Sequence, residues 1–290
     1  MKRKFLFVIL FFIASELFAN DIFDTLAYWN KQGEPSYEVR EIIPEHNSII
    51  NWTSGIVFTV SSVLVKESEA NVGKYFDYYY SVVREALHKD LLKAIGSLRI
   101  SDVFYLKDYY AMKSDLRYEI VDNVNNAVYY PTIQKGSRFY GLVELKIFGE
   151  NGLANLFYRR YQKTTVTKYV NESTDDAEYY DGLIIDTKEF PEFQPSIELR
   201  IYDQDGALLY GPETVNSRVL EDKGICFYTT GLSEAFRSKR VGYRLFYTMP
   251  YAVSGNHNSS IILHNKDAKK LLANSRTLSF LTNGNLVIVK

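Results

Sequence analysis

The chain has 290 residues, a formal net charge of −1, a single cysteine, 24 Tyr and 18 Phe. A near-neutral balance gives no electrostatic reason to bind nucleic acid or an anionic bilayer, and one Cys excludes an intramolecular disulfide. Roughly 270 residues beyond a leader suffice for one large or two ordinary domains with an ample core.

The chain opens Met1-Lys2-Arg3-Lys4, runs apolar from Phe5 to Ala14, and turns polar and small through Ser15-Glu16-Leu17-Phe18-Ala19. That is the pattern of an export signal, residues 1–19, cleaved after Ala19, with an apolar region too short to span a bilayer. Removing it takes three basic residues and one acidic residue, and shifts the net charge from −1 to −3. The next residue is Asn20, not Cys, so no lipid anchor through an N-terminal Cys is expected, and no later stretch reads as a transmembrane segment. The expected location is exported: periplasmic or envelope-associated.

Residues 20–51 are polar and broken by Gly33, Pro35 and Pro44. They read as a short helix or turn and then extended chain lying on the main body. Trp52 to Val65 is β-branched and strand-like. Glu67 to Leu98 is the clearest helix: Val72, Tyr79, Val83, Ala86, Leu91, Ile95 and Leu98 recur mostly every three to four residues. A weaker helical pattern covers Asp102 to Asn126. Val128–Gln134 and Arg138–Phe148 form a hairpin around Lys135-Gly136-Ser137. Gln162 to Glu178 is a polar gap and the candidate boundary.

Gly182-Leu-Ile-Ile-Asp186 then reads as a buried strand. Pro191 and Pro195 frame a loop. Ile197, Leu199 and Ile201 alternate up to the turn Asp203-Gln-Asp-Gly206, and Ala207–Tyr210 returns. Gly224–Tyr228 is strand-like, with Cys226 inside it as a small buried hydrophobe. Leu232–Ser238 is a short helix. Tyr243–Val253 and Ser259–His264 are strands around the turn 254–258. Asn265 can cap a helix reaching about Asn274, and Asn285–Val289 is a last strand. The expected fold class is α+β, antiparallel sheets with one long amphipathic helix and a few shorter ones. The expected organisation is a helix-plus-hairpin domain over 20–161, a polar loop or boundary over 162–178 and a β-rich domain over 179–290, or the two halves joined in one compact unit.

No nucleotide, metalloprotease or nucleophile-elbow motif occurs. The histidines are His46, His88, His257 and His264. The last two lie seven apart with no third ligand at metal spacing, so structural or solvent-facing roles are expected and no metal or other cofactor. Asp203-Gln-Asp-Gly206 begins like a calcium loop, but Ala207 and Thr214 stand where further oxygen ligands belong, so the two Asp read as turn formers. Asp175, Asp176 and Glu178 read as a solvated loop. Asn51, Asn171 and Asn258 match the glycosylation pattern only by chance, given a bacterial-looking leader. Catalytic partners can be distant in sequence, so the missing local signature is weak evidence against an enzyme.

Three segments together resemble a known family: Tyr180-Asp-Gly-Leu-Ile-Ile-Asp186, Pro195-Ser-Ile-Glu-Leu-Arg-Ile-Tyr-Asp-Gln-Asp-Gly206, and Leu209-Tyr-Gly-Pro212. They look like a strand and hairpin of exported bacterial proteins grouped with the LPP-twenty lipoproteins and the amino-terminal domain of flagellar assembly protein T. Ile261–Leu272, with Asn265-Lys-Asp-Ala268, and the closing strand Leu286–Val289 fit the same pattern, and Val72–Leu98 looks like its helix. The likeness covers most of the mature chain but departs at the leader, which lacks the lipoprotein Cys. It carries no catalytic residues, and it implies assembly with other envelope or flagellar proteins.

The reading that follows is a non-enzymatic exported envelope protein acting through protein–protein contacts, with flagellar assembly as its specific form. The alternative is a periplasmic glycan- or small-ligand-binding module. In either case the candidate contact surface is Tyr78, Tyr79, Tyr80, Tyr109 and Tyr110, because a tyrosine offers an apolar body with a polar tip. An unrecognised hydrolase would need a deep pocket gathering Ser, His and Asp.

Overall fold

The computed structural model describes residues 37–66, 73–112, 114–166, 168–169 and 173–290. The leader and the start of the expected helix at Glu67 lie outside them. The class is α+β.

The N-terminal half is built on an antiparallel sheet. Its strands are β1 (Arg40–Ile43), β2 (Ser48–Asn51), β3 (Ile56–Leu64), β4 (Val128–Tyr129), β5 (Ile133–Lys135) and β6 (Arg138–Lys146), ordered β1-β2-β3-β6-β4 with β5 also on β6. What read as plain extended chain before Trp52 is the hairpin β1–β2, turned at Pro44–His46 with Asn47 in the left-handed region at φ 46°, a conformation Asn tolerates. Trp52 itself leaves the strand and is 1 % exposed in the core.

Helix α1 (Phe76–Ile95) lies on this sheet and buries Tyr79, Val83, Leu87, Leu91, Ala94 and Ile95. That is the stripe its spacing dictates. The approach is close at Gly141 of β6: an added Cβ would stand 2.6 Å from both Val83 Cγ1 and Leu87 Cδ1. The second helical pattern resolves into α2 (Leu106–Met112) and α3 (Ser114–Asn125), and α4 (Asn155–Tyr158) is a single buried turn.

The C-terminal half holds two four-stranded sheets. Its elements are β7 (Gly182–Asp186), β8 (Arg200–Asp203), β9 (Leu208–Tyr210), α5 (Ser217–Lys223), β10 (Phe227–Thr229), α6 (Leu232–Arg237), β11 (Leu245–Thr248), β12 (Ala252–Ser254), β13 (Ser260–Leu263), α7 (Asn265–Leu271), α8 (Ser275–Thr282) and β14 (Leu286–Val289). One sheet, β10-β14-β7-β11, is parallel throughout. The other, β12-β13-β8-β9, has its central pair β13–β8 parallel and its outer pairs antiparallel.

Parallel strands are covered on both faces, so they read as unbroken apolar runs. Leu183, Ile185, Leu286 and Ile288 face the main core, while Ile184, Val287 and Val289 face a smaller cluster under α6 with Ala235 and Val241. The segment read as one strand over Tyr243–Val253 is two, β11 and β12, in different sheets. Asn265 does not cap α7, whose N-cap is His264. Its amide instead accepts from Gln204 N at 3.0 Å and donates to Asp205 Oδ2 at 3.1 Å. Helices α5 and α8 were not expected. Each starts at an Asn, Asn216 or Asn274, whose side chain accepts the backbone N–H two residues on, a good cap placed without a long apolar stripe behind it.

One apolar cluster runs from Val39 to Ile288 and joins both halves. Ile197 N–H donates to Arg99 O and Glu198 N–H to Ile100 O, at 3.0 and 2.7 Å. Arg99, 6 % exposed, adds a pair with Glu41 and a bond from Nε to Pro195 O at 2.9 Å. Among the described residues no helix is long and apolar enough to cross a membrane.

Candidate functional site

The five tyrosines singled out by sequence do not form one surface. Three successive residues on a helix point about 100° apart, so the sheet takes only the middle one. Tyr79 is buried and stacks on Phe139 of β6, with ring centroids 5.5 Å apart and planes 6° apart. Tyr78 and Tyr80 are exposed, and Tyr80 meets the same Phe139 edge-on at 5.5 Å. Tyr109 is half-buried between Phe104 and Phe157, at 5.6 and 5.2 Å, in an ordinary packing role. Tyr110 lies beside Leu92 and Lys93 of α1, about 20 Å along the helix axis from the tyrosine row.

Tyr110 belongs to a groove of about 510 Å³ formed by α1, α2 and α3 and lined by Leu92, Lys93, Lys107, Tyr110, Ala111, Arg117 and Val121. Its hydroxyl is buried and has no hydrogen-bond partner among the described residues. Burial pushes the phenol up to about 12, with the Arg117 charge pulling the other way.

A second feature escaped sequence reasoning. β11 is an edge strand. It turns Phe246 and Thr248 inward and leaves Tyr247 at 40 % exposure, beside Phe236 of α6 at 46 % and a fully exposed Tyr243; past its end Met249 and Tyr251 are 46 and 52 % exposed, with Tyr251 N–H donating to Ile262 O of the other sheet at 2.7 Å. Phe236 and Tyr247 stack at 6.0 Å, and the Tyr247 hydroxyl donates to Asp186 Oδ2 at 3.0 Å. From Leu245 to Tyr251 the chain carries no charge. The signal was present as apolar residues at 245, 247, 249 and 251, on the face opposite Phe246, but only the sheet order shows that this face belongs to an edge.

Two further polar clusters pair within the chain. Asp203 Oδ1 accepts from the N–H of Asp205 and Ala207, at 3.0 and 2.8 Å, as a turn former should. Its Oδ2 takes Lys168 Nζ at 2.5 Å and the Tyr169 hydroxyl at 2.8 Å, and Lys168 also reaches Asp205 at 2.6 Å. An ammonium thus fills the place between the two carboxylates. Burial alone would raise the Asp203 carboxyl, but these hydrogen bonds outweigh it and hold the group low.

Glu198, 3 % exposed, sits 3.9 Å from Arg200, which also binds Glu213 at 2.9 Å and the Tyr161 hydroxyl at 2.9 Å. Burial is the largest effect on Glu198 and pushes its carboxyl up to about 7. The cluster clamps β8 to the segments around Tyr161 and Glu213. Cys226 is buried, and desolvation raises its thiol to about 12, the state of an inert core thiol. His257 packs on Tyr105 at 4.2 Å and His264 on Tyr251 at 5.1 Å.

In comparisons with known proteins, a family model described as Treponema pallidum Tp0624, second domain, matches residues 182–290. The matched stretch takes in every strand from β7 to β14, and so both sheets of the C-terminal half. No curated protein matches the chain.

Proposed function

We propose that this protein is a non-enzymatic, exported envelope component that works by protein–protein contact, with the aromatic edge at β11 as its working surface. The observation that carries this reading is the uncharged edge strand with Tyr247 and Phe236 exposed along it and Met249 and Tyr251 exposed just past its end. Exposed strand edges are templates for another chain, and soluble proteins ordinarily blunt them with charge or cover. Exposed apolar patches mark interaction sites. A partner's extended segment added alongside β11 would gain main-chain hydrogen bonds, with the aromatics gripping its alternate side chains.

Export rests on the leader pattern of residues 1–19, and a flagellar setting rests on the resemblance to the flagellar assembly protein T group. The family match over 182–290 supports reading 179–290 as a unit of its own. A photo-crosslinking residue at Tyr247 or Tyr251, introduced in cells, tests the surface. Discrete adducts are expected at those positions, and none at Tyr118, which is 78 % exposed on α3 but away from the edge. Tyr247→Lys should abolish the adduct formed at position 251. Equal labelling at all three positions would refute the edge as the contact surface. Normal swimming after deletion of the gene would remove the flagellar part and leave the rest standing.

A further inference from the structure

The groove beside Tyr110 is a different site from the β11 edge, with different chemistry. Three helices each supply one cation to it: Lys93 from α1, Lys107 from α2 and Arg117 from α3. No acidic side chain lines it. Among the described residues none of the three cations makes an ion pair. Lys107 Nζ lies 5.1 Å from the Tyr105 ring centroid, and the Arg117 charge acts on the Tyr110 phenol. In a chain of net charge −1, three cations around one concavity with no acidic residue in its lining are a local excess of positive charge that favours an anion.

The rest of the lining is apolar: Leu92, Ala111, Val121 and the Tyr110 ring. The volume, about 510 Å³, falls in the range of sites for small molecules (roughly 300–1,000 Å³). We infer that this groove binds an amphiphilic anion, a phosphate or carboxylate head held by Lys93, Lys107 and Arg117 with an apolar body against Leu92, Ala111, Val121 and Tyr110. A purely inorganic anion would leave the apolar lining unused, and a neutral amphiphile would leave the cations unpaired. The two halves of the lining therefore specify one ligand class together. An acyl phosphate or fatty acid in free form and an anionic lipid headgroup in a membrane share that chemistry.

Titration calorimetry of the purified protein with monomeric dodecyl phosphate, inorganic phosphate and dodecanol tests the inference. Saturable one-site binding of dodecyl phosphate is expected, with inorganic phosphate and dodecanol each at least roughly tenfold weaker, the equivalent of about 1.4 kcal/mol. Lys107→Glu and Arg117→Glu, both at exposed positions, should each weaken dodecyl phosphate binding roughly tenfold or more, while Lys239→Glu on the far half leaves it unchanged. Unfolding curves confirm that the variants are folded. Co-sedimentation with phosphatidylglycerol vesicles separates the sources. Pelleting that the two groove variants abolish assigns the site to a membrane headgroup, and binding of monomer without pelleting assigns it to a free ligand. Dodecanol binding as tightly as dodecyl phosphate, groove variants binding like the parent, or no saturable binding of the monomer would each overturn the proposal.

Discussion

Replacing Glu198 by Gln should make the protein more stable at neutral and alkaline pH. Glu198 is 3 % exposed, and burial raises its carboxyl from 4.5 to about 7 despite Arg200 at 3.9 Å. The native state therefore holds a proton that the unfolded chain has released once the pH passes 4.5. Stability contributed by this group is complete below pH 4.5, falls as pH rises through the window from 4.5 to about 7, and is flat above it. A displacement of that size corresponds to about 3 kcal/mol across the window. Gln mimics the protonated acid at every pH. It does not strand Arg200, which keeps Glu213 at 2.9 Å and the Tyr161 hydroxyl. Urea unfolding at pH 4 should give parent and variant nearly equal stability, and at pH 8 the variant should lead by about 3 kcal/mol. The difference between the two proteins isolates this carboxyl from every other titrating group. Parallel pH profiles, or a variant weaker than the parent at pH 8, would refute the reasoning.

Two further outcomes follow from the packing. Arg99→Met should cost about 3 kcal/mol, because it leaves Glu41 without its ion-pair partner, with only the Trp52 Nε1 hydrogen bond, and strips Pro195 O of its donor at the junction of the two halves. Chemical denaturation checks the size, and an unchanged midpoint would mean that the junction is held by the apolar cluster alone. Gly141→Val should cost at least about 1–3 kcal/mol, since any Cβ there comes within 2.6 Å of Val83 and Leu87. A thermal melt within a degree of the parent would show that α1 can lift from the sheet without loss.

The sequence was most legible where one residue type answers one local demand. α1 announces itself because six buried residues recur at helical spacing, and Asp203-Gln-Asp-Gly206 reads as a turn because Asp203 bonds the next two free N–H groups. What closes the same turn, Lys168, lies 35 residues upstream, and no local pattern pairs an ammonium with a distant carboxylate. Strand direction was hidden for a related reason. Gly182–Asp186 and Leu286–Val289 are apolar on both faces, which marks burial but neither partner nor sense. β11 and β12 read as one strand because apolar residues continue across Pro250, where the chain in fact changes sheets. Among the tyrosines, composition marks all three of the row alike, and only which side of α1 lies on the sheet separates buried Tyr79 from exposed Tyr78 and Tyr80. The groove cations lie on three separate helices, so their convergence exists only in the fold.

The two edges of the parallel sheet are treated differently, and that contrast bears on function. At β10 the edge is occupied: Tyr37 O accepts from Thr230 N–H at 2.8 Å and from the Thr229 hydroxyl at 3.0 Å. At β11 the chain spends no Lys or Glu between Leu245 and Tyr251 and places aromatic rings there instead. Such a strand invites pairing with other chains. A structural reason for the aromatics would require them to support the fold, yet Met249 and Tyr251 are about half exposed, and Tyr247 offers one hydrogen bond and one ring contact. The burial these residues lack in the isolated chain is what a bound partner would supply. Tyr247→Lys therefore separates the two accounts: a fold-supporting Tyr247 would lower stability when replaced, whereas a contact residue would leave the melt in place and lose the partner.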